Sequence, residues 1–175
     1  MDADWATDAS DRKSVSGFLF FFQGSLISWS ATKQKTVALS STEAEYMAIA
    51  HAMREALWLR LLFHFIHLPF ASPFPFFSDN VGAIDLSNSE ATSACSKHID
   101  VCYHFLQHHV SDGSFSPRWI QTGDMVADLL TKPLPIPTHH RHCLNLGLDP
   151  SSDSSATYPP VLSALSMTTS SSVLG

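Results

Sequence analysis

The feature that most constrains the fold is a stretch in which two β segments lead into one long helical segment. Residues 14–31 are rich in β-branched and aromatic residues on both sides of a central Gln-Gly pair, which predicts a hairpin of two strands. A helix is predicted from near Ser40 to about His67, because Ser40 can act as its cap and Pro69 stands beyond its end. In a chain of this length, these elements predict one α/β domain.

The remainder of the chain continues this mixture of strands and helices. Short strands are predicted at 74–78 and 115–121, and helices at 81–87, 98–110 and 124–130. From Pro150 onward, Ser, Thr and Pro dominate, with one acidic and no basic residue, which predicts a disordered tail. We therefore expect one domain over residues 1–148 and a Ser/Thr/Pro-rich tail over residues 149–175.

The composition restricts how and where the chain acts. A net charge of −6 with 10 Lys and Arg argues against binding nucleic acid mainly through a basic surface, but it allows an acidic site that bound metal neutralises. Cys95, Cys102 and Cys143 have neither the pattern of a disulfide framework nor the paired spacing of a zinc site. We expect an intracellular protein of the cytoplasm or nucleus that is not secreted.

Neither a secretory leader nor a membrane span is predicted. Residues 1–13 carry four aspartates where a secretory leader would be apolar. The most hydrophobic stretch, residues 56–77, is interrupted by Arg60, His64 and His67 and then by three prolines. No membrane partner is therefore expected.

Four acidic residues stand in four separate predicted elements. They are Asp2 on a first strand, Glu45 on the long helix, Asp79 at the end of a later strand and Asp128 on a late helix. Two divalent ions about 3.5–4 Å apart need carboxylates that converge from different elements, because each ion must be held while water and a phosphate keep access to it. This order of acids favours a two-metal nuclease site.

Three of these acids also have a structural interpretation. Asp79 could cap the helix that follows it, and it could do so while also binding an ion. Glu45 could complete a capping box with Thr42. Asp128 lies in the first turn of its predicted helix, where the helix dipole favours any acidic residue.

Glu45 is predicted to point inward and Glu43 outward. The two residues project about 200° apart on a helix of 3.6 residues per turn. Glu45 shares its face with Ile49 and Ala52, a face of small and apolar residues that would lie against a sheet. Glu43 shares its direction with Arg54, toward solvent.

Two groups of histidine and cysteine residues invite a zinc interpretation. They are Cys102, His104 and His108, and then His139, His140, His142 and Cys143. Neither group has the paired spacing of a structural zinc site. We interpret both as ordinary surface or core residues.

Eight segments in order carry a family resemblance. They read DADWATD, DRKSVSGFLFF, LISWSATKQKTVALSSTEAEYMAIA, WLRLL, FFSDNVGAIDLSN, SKHIDVCYHFLQHHV, GSF and TGDMVADLLTKPL, and together they extend over about residues 2–148. In these segments the chain resembles the ribonuclease H domain at the end of the polyprotein of copia-type LTR retrotransposons, a group abundant in plants.

The resemblance implies a ribonuclease H-like fold, a mixed five-stranded sheet with flanking helices. It also implies hydrolysis of the RNA strand of RNA/DNA hybrids during reverse transcription, with two Mg²⁺ ions for which Mn²⁺ can substitute. The implied partner is the RNA/DNA hybrid, and a reverse transcriptase domain in a parent polyprotein is compatible with this implication.

The resemblance also assigns residues. By motif position, the catalytic metal ligands would be Asp2, Glu45, Asp79 and Asp128, with Asp4 as the alternative to Asp2. The residues expected to contact the nucleic acid are Ser41, Asn80, Lys97 and His98. For Lys97 and His98, a role in starting a helix stays equally open.

Two departures from the family pattern affect these expectations. Family members carry several residues before the DAD motif, so the first strand is expected to be largely truncated here. Ser93 and Cys95 stand where the family usually has His and Arg. The alternative function is therefore an inactive remnant with at most weak metal or hybrid binding. An integrase-like nuclease is disfavoured, because Glu45 comes second in the order and Asp128 is present.

Overall fold

The computed structural model describes residues 1–7, 10–68, 70, 72–89 and 97–148, without the side chains of residues 97–100. The strands in this part of the chain are β1 (Asp2–Asp4), β2 (Val15–Phe22), β3 (Ser25–Lys33), β4 (Phe74–Ser78) and β5 (Phe115–Trp119). The α-helices are α1 (Ser41–Phe65), α2 (Val81–Asn88), α3 (Lys97–Ser111) and α4 (Ile136–Asn145), and two 3-10 helices span Thr122–Asp124 and Val126–Leu130.

The first three strands form an antiparallel sheet in the order β1-β2-β3. Asp2 lies opposite Gly17, and the pairing of β2 with β3 extends from the hairpin turn to Val15. At the turn, Gln23 and Gly24 have φ of 51° and 80°, the left-handed conformation that matches the twist of a tight hairpin. The predicted hairpin is confirmed.

The other two strands form a separate parallel sheet, with Phe74 of β4 opposite Phe115 of β5. This arrangement confirms the mixed α/β class but differs from the single five-stranded sheet that the resemblance implies. The two sheets meet where the amino group of Met1 donates a hydrogen bond to the carbonyl of Phe77 at 3.1 Å. All three residues of β1 pair with β2. The one hydrogen bond from Met1 to Phe77 does not amount to a ladder between β1 and β4.

The predicted long helix is confirmed as α1, with Ser40 as its cap. The hydroxyl of Ser40 accepts a hydrogen bond from the amide of Glu43 at 3.1 Å. The carboxylate of Glu43 in turn accepts from the amide of Leu39 at 2.8 Å. Glu43 is therefore buried, and its predicted orientation toward solvent is wrong, because its side chain folds back over the start of the helix.

Helix α1 provides much of the core. Its buried residues include Tyr46, Ile49, Met53 and Leu59, which pack with Phe18, Phe20, Phe74, Phe76 and Phe115 from both sheets. The rings of Tyr46 and Tyr103 stack at 4.2 Å, and the Tyr46 hydroxyl donates to the Tyr103 carbonyl, which fixes α1 against α3. This packing holds the helix that carries Glu45 against the strands that carry Asp2 and Asp79.

Strand β2 lies very close to the segment that follows the second 3-10 helix. A Cβ atom at Gly17 would lie 2.7 Å from Thr131 Cγ2 and 3.0 Å from Leu130 Cβ, so glycine is the residue that allows this approach. Because Gly17 pairs with Asp2, the close contact brings Asp2 next to Thr131.

The last part of the domain differs from the sequence prediction. The single helix expected at 124–130 is replaced by two short 3-10 helices, interrupted at Met125, whose ψ of 90° is not helical. Helix α4 was not predicted, although Pro137 lies in its first turn, where proline is well tolerated.

Three features of the sequence lie outside the described residues: Ser93, Cys95 and the tail expected over residues 149–175. In the part that is described, no helix combines the length and the apolar character that crossing a membrane would require.

Candidate metal centre

Both carboxylate oxygens of Asp2 accept hydrogen bonds. It is completely buried in β1. Its Oδ2 accepts a hydrogen bond from the Thr131 hydroxyl, and its Oδ1 accepts from Lys132 Nζ at 2.9 Å. The neighbouring candidate Asp4 bonds instead to the hydroxyl of Thr7. Of the two aspartates, Asp2 is therefore the one that lies with the other predicted ligands.

Glu45 lies in the second turn of α1 and points toward β1. Its Oε1 accepts a hydrogen bond from the amide of Ala3 at 2.9 Å. Its Oε2 is buried and has no hydrogen-bond partner among the described residues. A buried carboxylate oxygen without a partner is costly, and a bound cation would satisfy it. The alternative interpretation, a box with Thr42, does not apply, because Glu43 forms the cap contact.

Asp79 follows the last residue of β4, at the carboxyl end of that strand. The helix after it is capped by Asn80, whose side chain accepts from the amide of Ala83 at 3.0 Å. Asp79 is thus not the cap. Carboxylate oxygens of Asp2, Glu45 and Asp79 all lie within 4.8 Å of one another, a spacing that one divalent ion could bridge.

Asp128 joins this cluster through a lysine. It lies buried in the 3-10 helix Val126–Leu130, and its Oδ1 accepts from Lys132 Nζ at 3.0 Å. The same ammonium group bonds Asp2, so one cation lies between the two aspartates. Thr131 and Lys132 were not predicted as site residues. The i, i+4 spacing of Asp128 and Lys132 is the sequence signal from which their contact could have been predicted.

The proximity of these acids changes their protonation. Burial raises the pKa of Glu45 well above its ordinary value, and the negative charge of Asp2 raises it further. Burial and the charge of Asp2 likewise raise the pKa of Asp128. Burial alone would raise the pKa of Asp2, but the hydrogen bonds from Thr131 and Lys132 and the positive charge of Lys132 hold it below its usual value. Without metal, the centre therefore relieves its repulsion by retaining protons and by its lysine.

The donor set suits a hard divalent cation. The grouped ligand atoms are carboxylate oxygens, which Mg²⁺ and Mn²⁺ prefer, whereas zinc sites usually include His or Cys. The unpartnered Oε2 of Glu45 and the excess of carboxylates over cations fit such an ion. Asp2, Glu45 and Asp79 would hold one ion, and Asp2 with Asp128 would hold a second.

The residues expected to contact nucleic acid lie at the starts of three helices, α1, α2 and α3. Ser41 is exposed in the first turn of α1, and Asn80 is half-buried at the start of α2. A Cβ atom at Gly82 would lie 3.2 Å from both Asn80 Oδ1 and Thr42 Oγ1, so these two helix starts adjoin. Lys97 and His98 form the first turn of α3, and their side chains are outside the description.

The structure groups the histidines differently from the two sets that were considered for zinc. His108 and His109 lie with Asp112 at the end of α3, within metal-ligand reach of one another, whereas His104 and Cys102 are not in this group. The group is largely exposed. His139 Nδ1 lies 3.5 Å from Cys143 Sγ at an exposed contact.

Most of the chain is similar to segments of plant transposon proteins. It is 42% identical over 134 residues to the Retrovirus-related Pol polyprotein from transposon TNT 1-94 of Nicotiana tabacum. It is 39% identical over 133 residues to the corresponding polyproteins from transposons RE2 and RE1 of Arabidopsis thaliana. These matches cover 76–77% of this chain and 9–10% of each relative, so the chain spans about a tenth of their length. No family model and no solved structure matches the chain.

Proposed function

We propose that this domain is a ribonuclease H that hydrolyses the RNA strand of RNA/DNA hybrids with two divalent ions. The observation that carries the proposal is the convergence of Asp2, Glu45 and Asp79, whose carboxylate oxygens lie within 4.8 Å of one another. Glu45 contributes a buried oxygen that lacks a partner among the described residues. The similarity to retrovirus-related Pol polyproteins supports a role in a retroelement.

The proposed fold is the ribonuclease H-like arrangement. The hydrogen bond from the Met1 amino group to the Phe77 carbonyl supports this proposal, because joining the two sheets at β1 and β4 would give the strand order β3-β2-β1-β4-β5. In that order, β1 would be the central strand with β4 as its neighbour, and Asp2 and Asp79 would lie near the point where these two strands meet. Helix α1 covers both sheets and presents Glu45 to the same point.

The side chains have distinct tasks in the proposed reaction. Two bound divalent ions would supply the Lewis acidity that in-line hydrolysis of a phosphodiester needs. Asp2 would be a shared ligand, because it clusters with Glu45 and Asp79 on one side and is bridged to Asp128 on the other, while Thr131 fixes its Oδ2. Glu45 would be oriented by the amide of Ala3. Asp79 is partly exposed, so it would be the ligand most accessible to an approaching substrate.

The substrate would be recognised through its backbone. With 10 Lys and Arg against 16 Asp and Glu, the chain has no large excess of positive charge to bind nucleic acid by charge alone. The adjoining starts of α1 and α2, with Ser41 and Asn80, offer hydroxyl, amide and helix-end groups that suit phosphates and the 2′-hydroxyl.

Cleavage of a labelled RNA/DNA hybrid in Mg²⁺ tests the proposal. Asp79→Asn should reduce the rate by about a hundredfold or more, the scale of removing a preorganised group from an active site. Asp85→Asn is the matched control, because Asp85 is an exposed aspartate on the neighbouring helix α2. A single-stranded RNA of the same sequence should be cut far more slowly than the hybrid. Equal rates for Asp79→Asn and the unchanged chain would contradict the proposal.

A second candidate is a domain that binds metal or hybrid without turnover. The observation that favours it is that, among the described residues, one hydrogen bond, from Met1 beside β1 to Phe77, links β1 to β4, which is a weak attachment for the strand that carries Asp2. This candidate predicts that Mg²⁺ raises the melting temperature in an Asp79-dependent manner while no hybrid is cut.

A further inference from the structure

We propose that the Lys132 ammonium group occupies the second cation position of the centre, and that an ion enters that position by displacing it. The proposal rests on the proposed two-ion site and concerns how that site is loaded. Lys132 Nζ lies 2.9 Å from Asp2 Oδ1 and 3.0 Å from Asp128 Oδ1, so it bridges the two carboxylates that would share the second ion.

This contact differs from an ordinary surface ion pair. Asp2 is completely buried and Asp128 is nearly so, whereas about 33% of the Lys132 side chain is exposed. Among the described residues, no other lysine or arginine forms an ion pair with either aspartate. Lys132 is thus the side-chain cation that bonds both carboxylates directly, and the Met1 amino group adds a more distant attraction to the same acids.

The exchange requires little movement of the protein. The backbone amide of Lys132 donates to the carbonyl of Asp128 at 2.9 Å, so the backbone is anchored independently of the ammonium group. The exposed part of the flexible side chain gives the ammonium group a route into water. Thr131 would continue to hold the other oxygen of Asp2 while Lys132 rotates away.

The two cation positions are therefore unequal. The first lies among Asp2, Glu45 and Asp79, where Glu45 Oε2 has no partner among the described residues. The second is already filled by a positive charge. The first ion enters without displacing a side-chain cation, whereas the second must release Lys132, so the ions load in order and the second binds more weakly.

Counting bound Mn²⁺ by titration calorimetry and by the electron paramagnetic resonance signal of free Mn²⁺ tests this inference. The unchanged chain should bind two ions, the second at least tenfold more weakly than the first. Lys132→Gln should strengthen the second affinity at least tenfold and leave the first within about twofold. Lys35→Gln is the control, because it makes the same change of net charge at an exposed lysine beyond β3.

A charge-retaining variant guards against loss of folding in Lys132→Gln. Lys132→Arg keeps a cation that can bridge carboxylates, so its second affinity should equal that of the unchanged chain or be weaker. A tenfold rise in Lys132→Arg, or a second affinity in Lys132→Gln within twofold of the unchanged value, overturns the inference.

The inference can fail separately from the proposed function. If Asp79→Asn removes hybrid cleavage but Lys132→Gln leaves Mn²⁺ binding unchanged, the nuclease proposal stands and the role of Lys132 is wrong. If no variant, including the unchanged chain, binds Mn²⁺, both proposals are wrong.

Discussion

The amide of Ala3 donates a hydrogen bond to Glu45 Oε1 at 2.9 Å, across 42 positions of the sequence. This contact joins β1 to α1 next to Asp2. It uses one oxygen of Glu45 and directs the other, unpartnered oxygen into the acidic cluster. Glu45, itself a candidate ligand, thus holds α1 against β1, the strand that carries Asp2.

Glu45→Gln should stabilise the metal-free protein and remove its response to metal. The amide oxygen can still accept from Ala3, whereas the unchanged chain at pH 8 must either take up a proton at Glu45 on folding or bury a negative charge beside Asp2. We expect the free energy of unfolding at pH 8 in EDTA to rise by about 1–3 kcal/mol, the scale of a buried polar group without its partner. Urea denaturation with and without Mg²⁺ measures both effects.

Glu55→Gln is the control on the same helix. The Glu55 carboxylate accepts from the Ser28 hydroxyl, a contact that glutamine can keep. This variant should retain the full increase in melting temperature on addition of Mg²⁺. If Glu45→Gln retains it as well, Glu45 is not a ligand.

The stability of the metal-free protein should fall between pH 7.5 and 9. The Glu45 carboxyl has a pKa raised from 4.5 to about 9 by burial and by Asp2, so the folded state holds a proton that the unfolded state has lost. Stability then decreases with rising pH by up to about 1.4 kcal/mol per unit. Burial lowers the pKa of His51, His142 and the Met1 amino group, which acts in the opposite direction. Both states have lost the imidazole protons above about pH 7.5, and the amino group, whose ordinary pKa is 8.0, offsets part of the fall until about pH 8.5, so the fall is steepest above that pH.

Urea midpoints measured in EDTA across this range test the pH prediction. Glu45→Gln should flatten the slope, because it removes the titrating group. Saturating Mg²⁺ should flatten it too, because the ion replaces the proton. A slope that is the same in the unchanged chain and in Glu45→Gln would show that another group causes it.

Gly17→Ala should disturb the contact between β2 and the Asp2 partner Thr131. A Cβ atom there would lie 2.7 Å from Thr131 Cγ2, and overpacking of this kind costs about 1–3 kcal/mol. We expect lower stability and weaker Mg²⁺ binding, because Thr131 orients Asp2. Gly123→Ala is the control, since its nearest neighbour would be Arg141 Nη2 at 3.9 Å. Equal melting temperatures for the two variants would contradict the prediction.

Adjacent serines at the start of α1 should have separable roles. Ser40→Ala removes the helix cap and should cost about 1 kcal/mol in stability. Ser41→Ala should leave stability within about 0.5 kcal/mol, because the side chain is exposed, and should raise KM for the hybrid. Thermal denaturation together with steady-state cleavage distinguishes them. A Ser41→Ala variant with unchanged KM would remove this residue from the proposed nucleic-acid surface.

Local signals in the sequence located the long helix and the hairpin, although they missed α4. The Ser40 cap located the start of α1, and the Gln23-Gly24 pair located the hairpin, because caps and tight turns depend on a few adjacent residues. The direction of Glu43 was wrong, because helical periodicity does not include a side chain that folds back to the amide of Leu39.

Long-range features were less accessible from the sequence. The division into two sheets depends on how far β1 pairs with β4, which no local pattern encodes. The bridge from Lys132 to Asp2 spans 130 positions, and it forms because Gly17 lets β2 approach the segment after the second 3-10 helix. The order of the acids predicted a cluster of four; Asp2, Glu45 and Asp79 lie together, whereas Asp128 contacts Asp2 through Lys132, a counter-charge that was not predicted.

The most direct test of the ion-binding centre is a crystal structure of the chain in Mn²⁺ at pH 8, with the anomalous signal of manganese recorded. The account predicts a strong peak about 2.1–2.3 Å from carboxylate oxygens of Asp2, Glu45 and Asp79, the range for hard divalent ions, and its loss in Asp79→Asn. A peak confined to His108, His109 and Asp112, or no peak at the acidic cluster, would contradict it.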